Sequence, residues 1–181
     1  MSVTRRKFGK TKDGEPVTLY TITNKMGNSV SIMDYGATVQ SINIVDAEGE
    51  VIDCCLGYNT VAEYEEHTDF MGACIGRVGN RIGGSSFSLN GQTYTLAANE
   101  GENHLHGGLK GFDKQMFKAK IDSDDTVTFG RISPDGEEGY PGEFMFIVSY
   151  TFDGCDNFVM NYTGWNNSET LDTIAGITNH T

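Results

Sequence analysis

The chain has 181 residues, enough for one domain with a substantial core and too few to require two. Its 25 acidic side chains against 13 basic ones leave a formal charge of -12, which excludes broad contact with nucleic acid or an anionic membrane, because either would need a basic surface. Glycine is abundant at 23 residues and proline scarce at 3, with no collagen-like period, the composition of many turns between short strands.

Arg5-Arg6-Lys7 is the only clear basic cluster and reads as a solvated end, not a binding arm. No long apolar run follows it, so neither a signal peptide nor a membrane span is expected, and a cytoplasmic location is the default. The N-x-S/T sequences at Asn161, Asn166 and Asn179 would be idle there, since glycosylation needs the secretory route. Cys54, Cys55, Cys74 and Cys155 show no CxxC spacing and read as reduced, partly buried thiols.

Period-two patterns then run along the chain. Val17, Leu19 and Thr21 alternate with Thr18 and Tyr20; further strands are predicted over 29–33, 39–45 and, after a turn at 46–49, over 51–56, which together read as an antiparallel meander. Thr60 and Glu63 have capping-box spacing and predict a helix ending near Glu66, with its acidic residues on a solvated face. Asn90-Gly91 between alternating segments predicts a tight hairpin over 87–96, because this pair accepts the positive φ angles of a type I′ turn. A second hairpin is predicted across 122–125, joining 116–121 to 126–132. Phe144, Phe146, Val148, Tyr150 and Phe152 mark the core face of a long strand. With no internal repeat and no linker, residues 1–181 read as a single all-β domain, a sandwich or barrel.

Chemistry-bearing residues concentrate in three stretches. Gly76-Arg77-Val78-Gly79-Asn80-Arg81-Ile82-Gly83-Gly84 is neither a dinucleotide fingerprint nor a P-loop; its residues alone favour a glycine-rich turn whose arginines pair with surplus carboxylates. In Asn103-His104-Leu105-His106-Gly107-Gly108 the two imidazoles would share one face of an extended strand, suited to polar recognition or acid-base work near pH 7. Zinc would need a further ligand, and none is suitably spaced. The irregular stretch 133–142 has the length of a loop that borders a site, as well as of a plain surface loop. With no serine or cysteine nucleophile motif, the available Asn, Arg and His groups suit a sugar. Phe112, Tyr140 and Trp165 are candidates to pack against its apolar face, although aromatics in an all-β chain more often fill the core.

Gly-Arg-Val-Gly-Asn-Arg-Ile at 76–82, Asn-His-Leu-His-Gly-Gly at 103–108 with Gly-Phe-Asp-Lys at 111–114, Ser-Pro-Asp-Gly-Glu-Glu-Gly-Tyr-Pro-Gly at 133–142 and Thr-Asn-His-Thr at 178–181 together resemble the aldose 1-epimerase family, also called galactose mutarotases. The resemblance covers nearly the whole chain. It implies a large antiparallel β-sandwich with an open cleft, interconversion of the α and β anomers of aldohexoses such as galactose and glucose, and no cofactor or metal. By motif position it makes Asn80 and Arg81 binders of sugar hydroxyls, His106 a catalytic contact near the reacting ring and His180 the general acid. His104 becomes a structural neighbour on the same strand face.

One departure stands out. The family's catalytic glutamate and a sugar-binding aspartate lie in a C-terminal part that this sequence does not contain, and Glu137 and Glu138 belong to a different motif. The expectation is therefore an N-terminal portion of the sandwich with little or no activity alone, whose unpaired edges favour self-association or a C-terminal partner segment. A noncatalytic carbohydrate-binding protein and a structural fragment that recruits another chain remain alternatives. A hexose 6-phosphate substrate is disfavoured by the lack of an obvious basic pocket.

Overall fold

The computed structural model describes residues 1–181. The chain opens with a five-stranded antiparallel meander: β1 (Ser2–Lys10), β2 (Pro16–Thr23), β3 (Ser29–Met33), β4 (Thr38–Val45) and β5 (Val51–Asp53), paired in that order. Arg5-Arg6-Lys7 is solvated as expected, yet it belongs to the edge strand β1 and is not a loose end. Exposed cations on an edge oppose pairing with another chain. β5 stops three residues short of the predicted 51–56, because the Asp53 carboxylate accepts the Cys55 N–H and turns the chain.

Helix α1 (Val61–Glu66) follows, with the Thr60–Glu63 capping box formed in both directions and His67 ending it. It covers one face of β2, whose alternation forms as read: Val17 and Leu19 pack with Met33, Tyr35, Val61 and Tyr64 beneath the helix, while Tyr20 and Ile22 face the opposite way into the main core. Both faces of β2 are therefore buried.

Short elements come next: β6 (Cys74–Ile75), β7 (Arg81–Ile82), the hairpin β8 (Ser86–Leu89) and β9 (Gln92–Thr95), and β10 (His104–Leu105). Asn90 and Gly91 have φ of 51° and 77°, the positive pair that a type I′ turn needs. The second sheet contains β11 (Lys118–Ile121), β12 (Thr126–Ser133), β13 (Phe144–Phe152) and β14 (Phe158–Asn166) in antiparallel order, and β15 (Thr178–Asn179) returns to pair with β6.

The two large sheets face each other across one apolar cluster. Ile22, Val30, Ile32 and Val39 from the first sheet meet Val127, Phe129 and the buried row Phe144, Phe146, Val148, Tyr150 and Phe152 from the second. This is an antiparallel β-sandwich. The cysteines are all free, but only Cys74 is buried and Cys55 half-buried; Cys54 and Cys155 are exposed, correcting their uniform reading as partly buried. No helix is long and apolar enough to cross a membrane.

Candidate functional site

The site is built on the two-residue ladder between β7 and β10, which sets Arg81 opposite Leu105 and Ile82 opposite His104. Beyond it His106 takes a φ of +52°, so the strand ends and the two histidines do not share an extended face, contrary to expectation. Their roles separate accordingly. His104 is fully buried, its Nδ1 donating to the Ala97 carbonyl at 2.8 Å and its Nε2 accepting from the Tyr140 hydroxyl at 2.7 Å. It is structural. His106 is tied to Asn80 twice: its own N–H donates to the Asn80 carbonyl at 3.1 Å, and the Asn80 N–H donates to its Nδ1 at 3.0 Å.

That second bond fixes a tautomer. A backbone N–H can only donate, so Nδ1 carries no proton and Nε2–H remains to donate outward. Burial, then the neighbouring His180 and Arg81, push the His106 pKa below the ordinary histidine value. Because the folded value is depressed, the associated stability is present above an unfolded value of about 6.5 and is lost as pH falls through that value toward the folded one. Long-range 1H–15N correlation spectra at pH near 6.5 are expected to show His106 mainly as the neutral Nε2–H tautomer. A Nδ1–H signal, or titration at the ordinary value, would contradict the assignment.

His180 reaches the same place from the other end of the chain. The β15–β6 pair delivers it, and its backbone is held on both sides: its N–H donates to the Ala73 carbonyl at 3.1 Å and its carbonyl accepts from Gly72 at 3.0 Å. The imidazoles of His106 and His180 stand 4.7 Å apart, centre to centre and nearly perpendicular. Arg81 donates to the Glu100 carboxylate through Nε at 3.1 Å and Nη2 at 3.0 Å, and to the Asn80 side-chain oxygen at 3.2 Å. Asn80, Arg81, His106 and His180 are thus brought together. An open depression of about 470 Å³ adjoins His180, walled by Cys54, Cys55, Leu56, Asp69 and Met71.

The layer behind them differs from the pairing of both arginines with carboxylates. Arg81 does pair with Glu100, but Arg77 is 2% exposed and spends its guanidinium on the Ser133 hydroxyl, the Ser133, Pro134 and Pro141 carbonyls and the Thr173 hydroxyl. The loop 133–142 thereby becomes the backing of the site. Its Glu138 accepts the Leu109 N–H at 2.8 Å and the Lys110 N–H at 3.1 Å, clamping the turn that follows His106. Glu137 pairs with Arg131 and accepts from the Ser133 hydroxyl.

The stacking candidates fare differently. Phe112 and Tyr140 are each 1% exposed and belong to the interior, so neither can meet a ligand; Trp165 is exposed, on β14. The aromatic beside the histidines is Phe70, with ring centroids 4.8 Å from His106 and 5.9 Å from His180. Sequence reasoning passed over it. It lies in the irregular stretch after α1, where no periodicity marks a side chain.

Comparison with known proteins agrees with this architecture. The family described as "Aldose 1-epimerase" matches residues 18–181. Galactose mutarotase from Sus scrofa is 39% identical over 180 residues, covering 99% of this chain and 51% of its own, and aldose 1-epimerase from Escherichia coli is 40% identical over 138 residues, covering 76% and 40%. Among solved structures, a galactose 1-epimerase from Lactobacillus acidophilus superposes with a TM-score of 0.83 at 26% identity, covering 99% of this chain and 52% of the other. A GalM/aldose epimerase homologue from C. elegans gives 0.80 at 28% identity, covering 88% and 48%. The chain spans about half the length of the curated relatives it matches.

Proposed function

Since the chain belongs to the aldose 1-epimerase family, we propose that it carries the sugar-holding and acid half of a mutarotase site, within one β-sandwich domain, for aldohexoses such as galactose and glucose. The observation that carries this reading is the facing pair of imidazoles, 4.7 Å apart beside Asn80 and Arg81. In the proposed reaction a carboxylate takes the proton of the C1 hydroxyl while protonated His180 donates to the ring oxygen. The C1–O5 bond breaks as the C1 carbonyl forms, so no free alkoxide accumulates. Rotation about C1–C2 presents the other carbonyl face, and closure with the proton transfers reversed gives the other anomer. His106, donating through Nε2, and Arg81 hold the sugar and stabilise its developing negative charge, with their geometry set before the reaction.

We assign the base to a carboxylate contributed from outside residues 1–181, as the family resemblance implies. Carboxylates near the histidines have other partners: Glu100 is bound to Arg81, Glu138 to two backbone amides and Asp69 to the Tyr58 hydroxyl. The same reading gives β14 a neighbour. Its free edge carries exposed Val159, Tyr162 and Trp165 and suits pairing with a C-terminal partner segment or a second copy. A cytoplasmic setting fits the exposed thiols of Cys54 and Cys155.

NMR titration with galactose and polarimetry on freshly dissolved α-glucose test the proposal together. The 181-residue chain is expected to bind sugar in a manner lost on His106→Ala or Arg81→Ala, and to leave the mutarotation rate at its uncatalysed value. Fast, His180-dependent mutarotation by this chain would place the base within it. Absence of sugar binding would overturn the sugar site itself, and binding without catalysis even after the C-terminal part expected from the family is added would favour a carbohydrate-binding module.

A further inference from the structure

We infer that Phe70 is a sugar-contacting residue of this site, an aromatic platform on which the C–H face of the hexose rests while His106 and His180 address its oxygens. The inference rests on the sugar reading above. Phe70 belongs to neither apolar cluster of the sandwich and is only half-buried, so its ring is not committed to the core. Its aromatic neighbours are the two imidazoles, at 4.8 and 5.9 Å. A pyranose within reach of both His106 and His180 must come against the side chain that touches both.

The backbone points the same way. Phe70 has a φ of +61°, an outlying conformation for a bulky side chain, which persists only where surrounding structure demands it. The supports are specific. The Ala73 N–H donates to the Phe70 carbonyl at 3.0 Å, and Asp69 is held by the Tyr58 hydroxyl. Gly72 and Ala73 of the same turn hold the His180 backbone, so one turn sets the Phe70 ring and the proposed acid together. Hexoses present a patch of C–H groups on one face, and an aromatic ring covers such a patch while leaving the hydroxyls to polar partners.

The test uses the 181-residue chain with phenylalanine labelled by 13C, titrated with galactose and with glucose. The Phe70 ring resonances are expected to shift on binding and to show contacts to sugar C–H protons. Phe70→Leu, which keeps an apolar side chain but no π face, is expected to weaken binding about three- to tenfold, whereas Phe70→Tyr stays within about twofold. Unchanged thermal unfolding and an unchanged His106 tautomer in both variants separate loss of the platform from loss of structure. Wild-type binding that depends on Arg81 and His106 but is equal in Phe70→Leu, or a Phe70 ring that does not respond to sugar, overturns this inference and leaves the site intact. No binding by the wild-type chain overturns both.

Discussion

Replacing Arg77 with methionine is expected to destabilise the fold by about 3 to 5 kcal/mol, read from the midpoint and slope of urea unfolding. Methionine preserves much of the apolar stem, so the loss falls on the guanidinium. That group donates to three main-chain carbonyls, of Ser133, Pro134 and Pro141, and to the hydroxyls of Ser133 and Thr173, while packing over Tyr140 and Phe144. Each buried acceptor left without a donor costs about 1 to 3 kcal/mol. Arg77→Lys should recover little, because a single ammonium cannot reach a fork of partners spread over a loop. Lys25→Met, on an exposed turn, is the control and should change stability by no more than about 0.5 kcal/mol. Typical domains hold about 5 to 15 kcal/mol in all, so Arg77→Met removes a large share. A loss below about 1 kcal/mol would show that water replaces the guanidinium and that the loop 133–142 is not held by it.

What could be read from the sequence follows from how local each interaction is. The Asn90-Gly91 hairpin and the Thr60–Glu63 capping box lie within a few residues, and both form as read. The core face of β13 was equally legible, because five apolar side chains in strict alternation have only one face to share. The alternation of β2 forms as read, but its packing was not legible: whether Val17 and Leu19 meet the facing sheet or a helix depends on where α1 docks, which alternation cannot encode. The motifs brought Asn80, Arg81, His106 and His180 to attention, and the fold gathers them. What the motifs could not convey was the backbone. His106 leaves the extended region, and this turns an apparent pair into one buried structural histidine and one that faces His180. Arg77 looked like a partner for carboxylates, yet neutral carbonyls satisfy it, since charge counts do not reveal which oxygens a loop will turn inward.

The second large effect concerns Gly107, next to His106. Gly107→Ala is expected to cost about 3 kcal/mol or more of stability and to weaken galactose binding at least about tenfold. Two separate terms add. Gly107 has a φ of +85°, which an L side chain enters only with strain. A Cβ there would also lie 1.8 Å from the Gly76 carbonyl oxygen and 2.8 Å from the Arg77 nitrogen, both backbone atoms with little freedom to yield. The Gly76 oxygen already accepts the Phe112 N–H at 3.0 Å, so moving it disturbs the core side of the site as well. If the loop moves instead, the paired bonds between His106 and Asn80 lose their register and the Nε2 donor swings away. Gly91→Ala separates the terms: Gly91 has a similar φ of 77° but nothing within 4 Å of a built Cβ. It should therefore show the conformational cost alone, about 1 to 2 kcal/mol, with sugar binding unchanged. If the two variants prove equally stable and Gly107→Ala still binds galactose, the close approach of the His106 turn to Gly76 is not what positions His106.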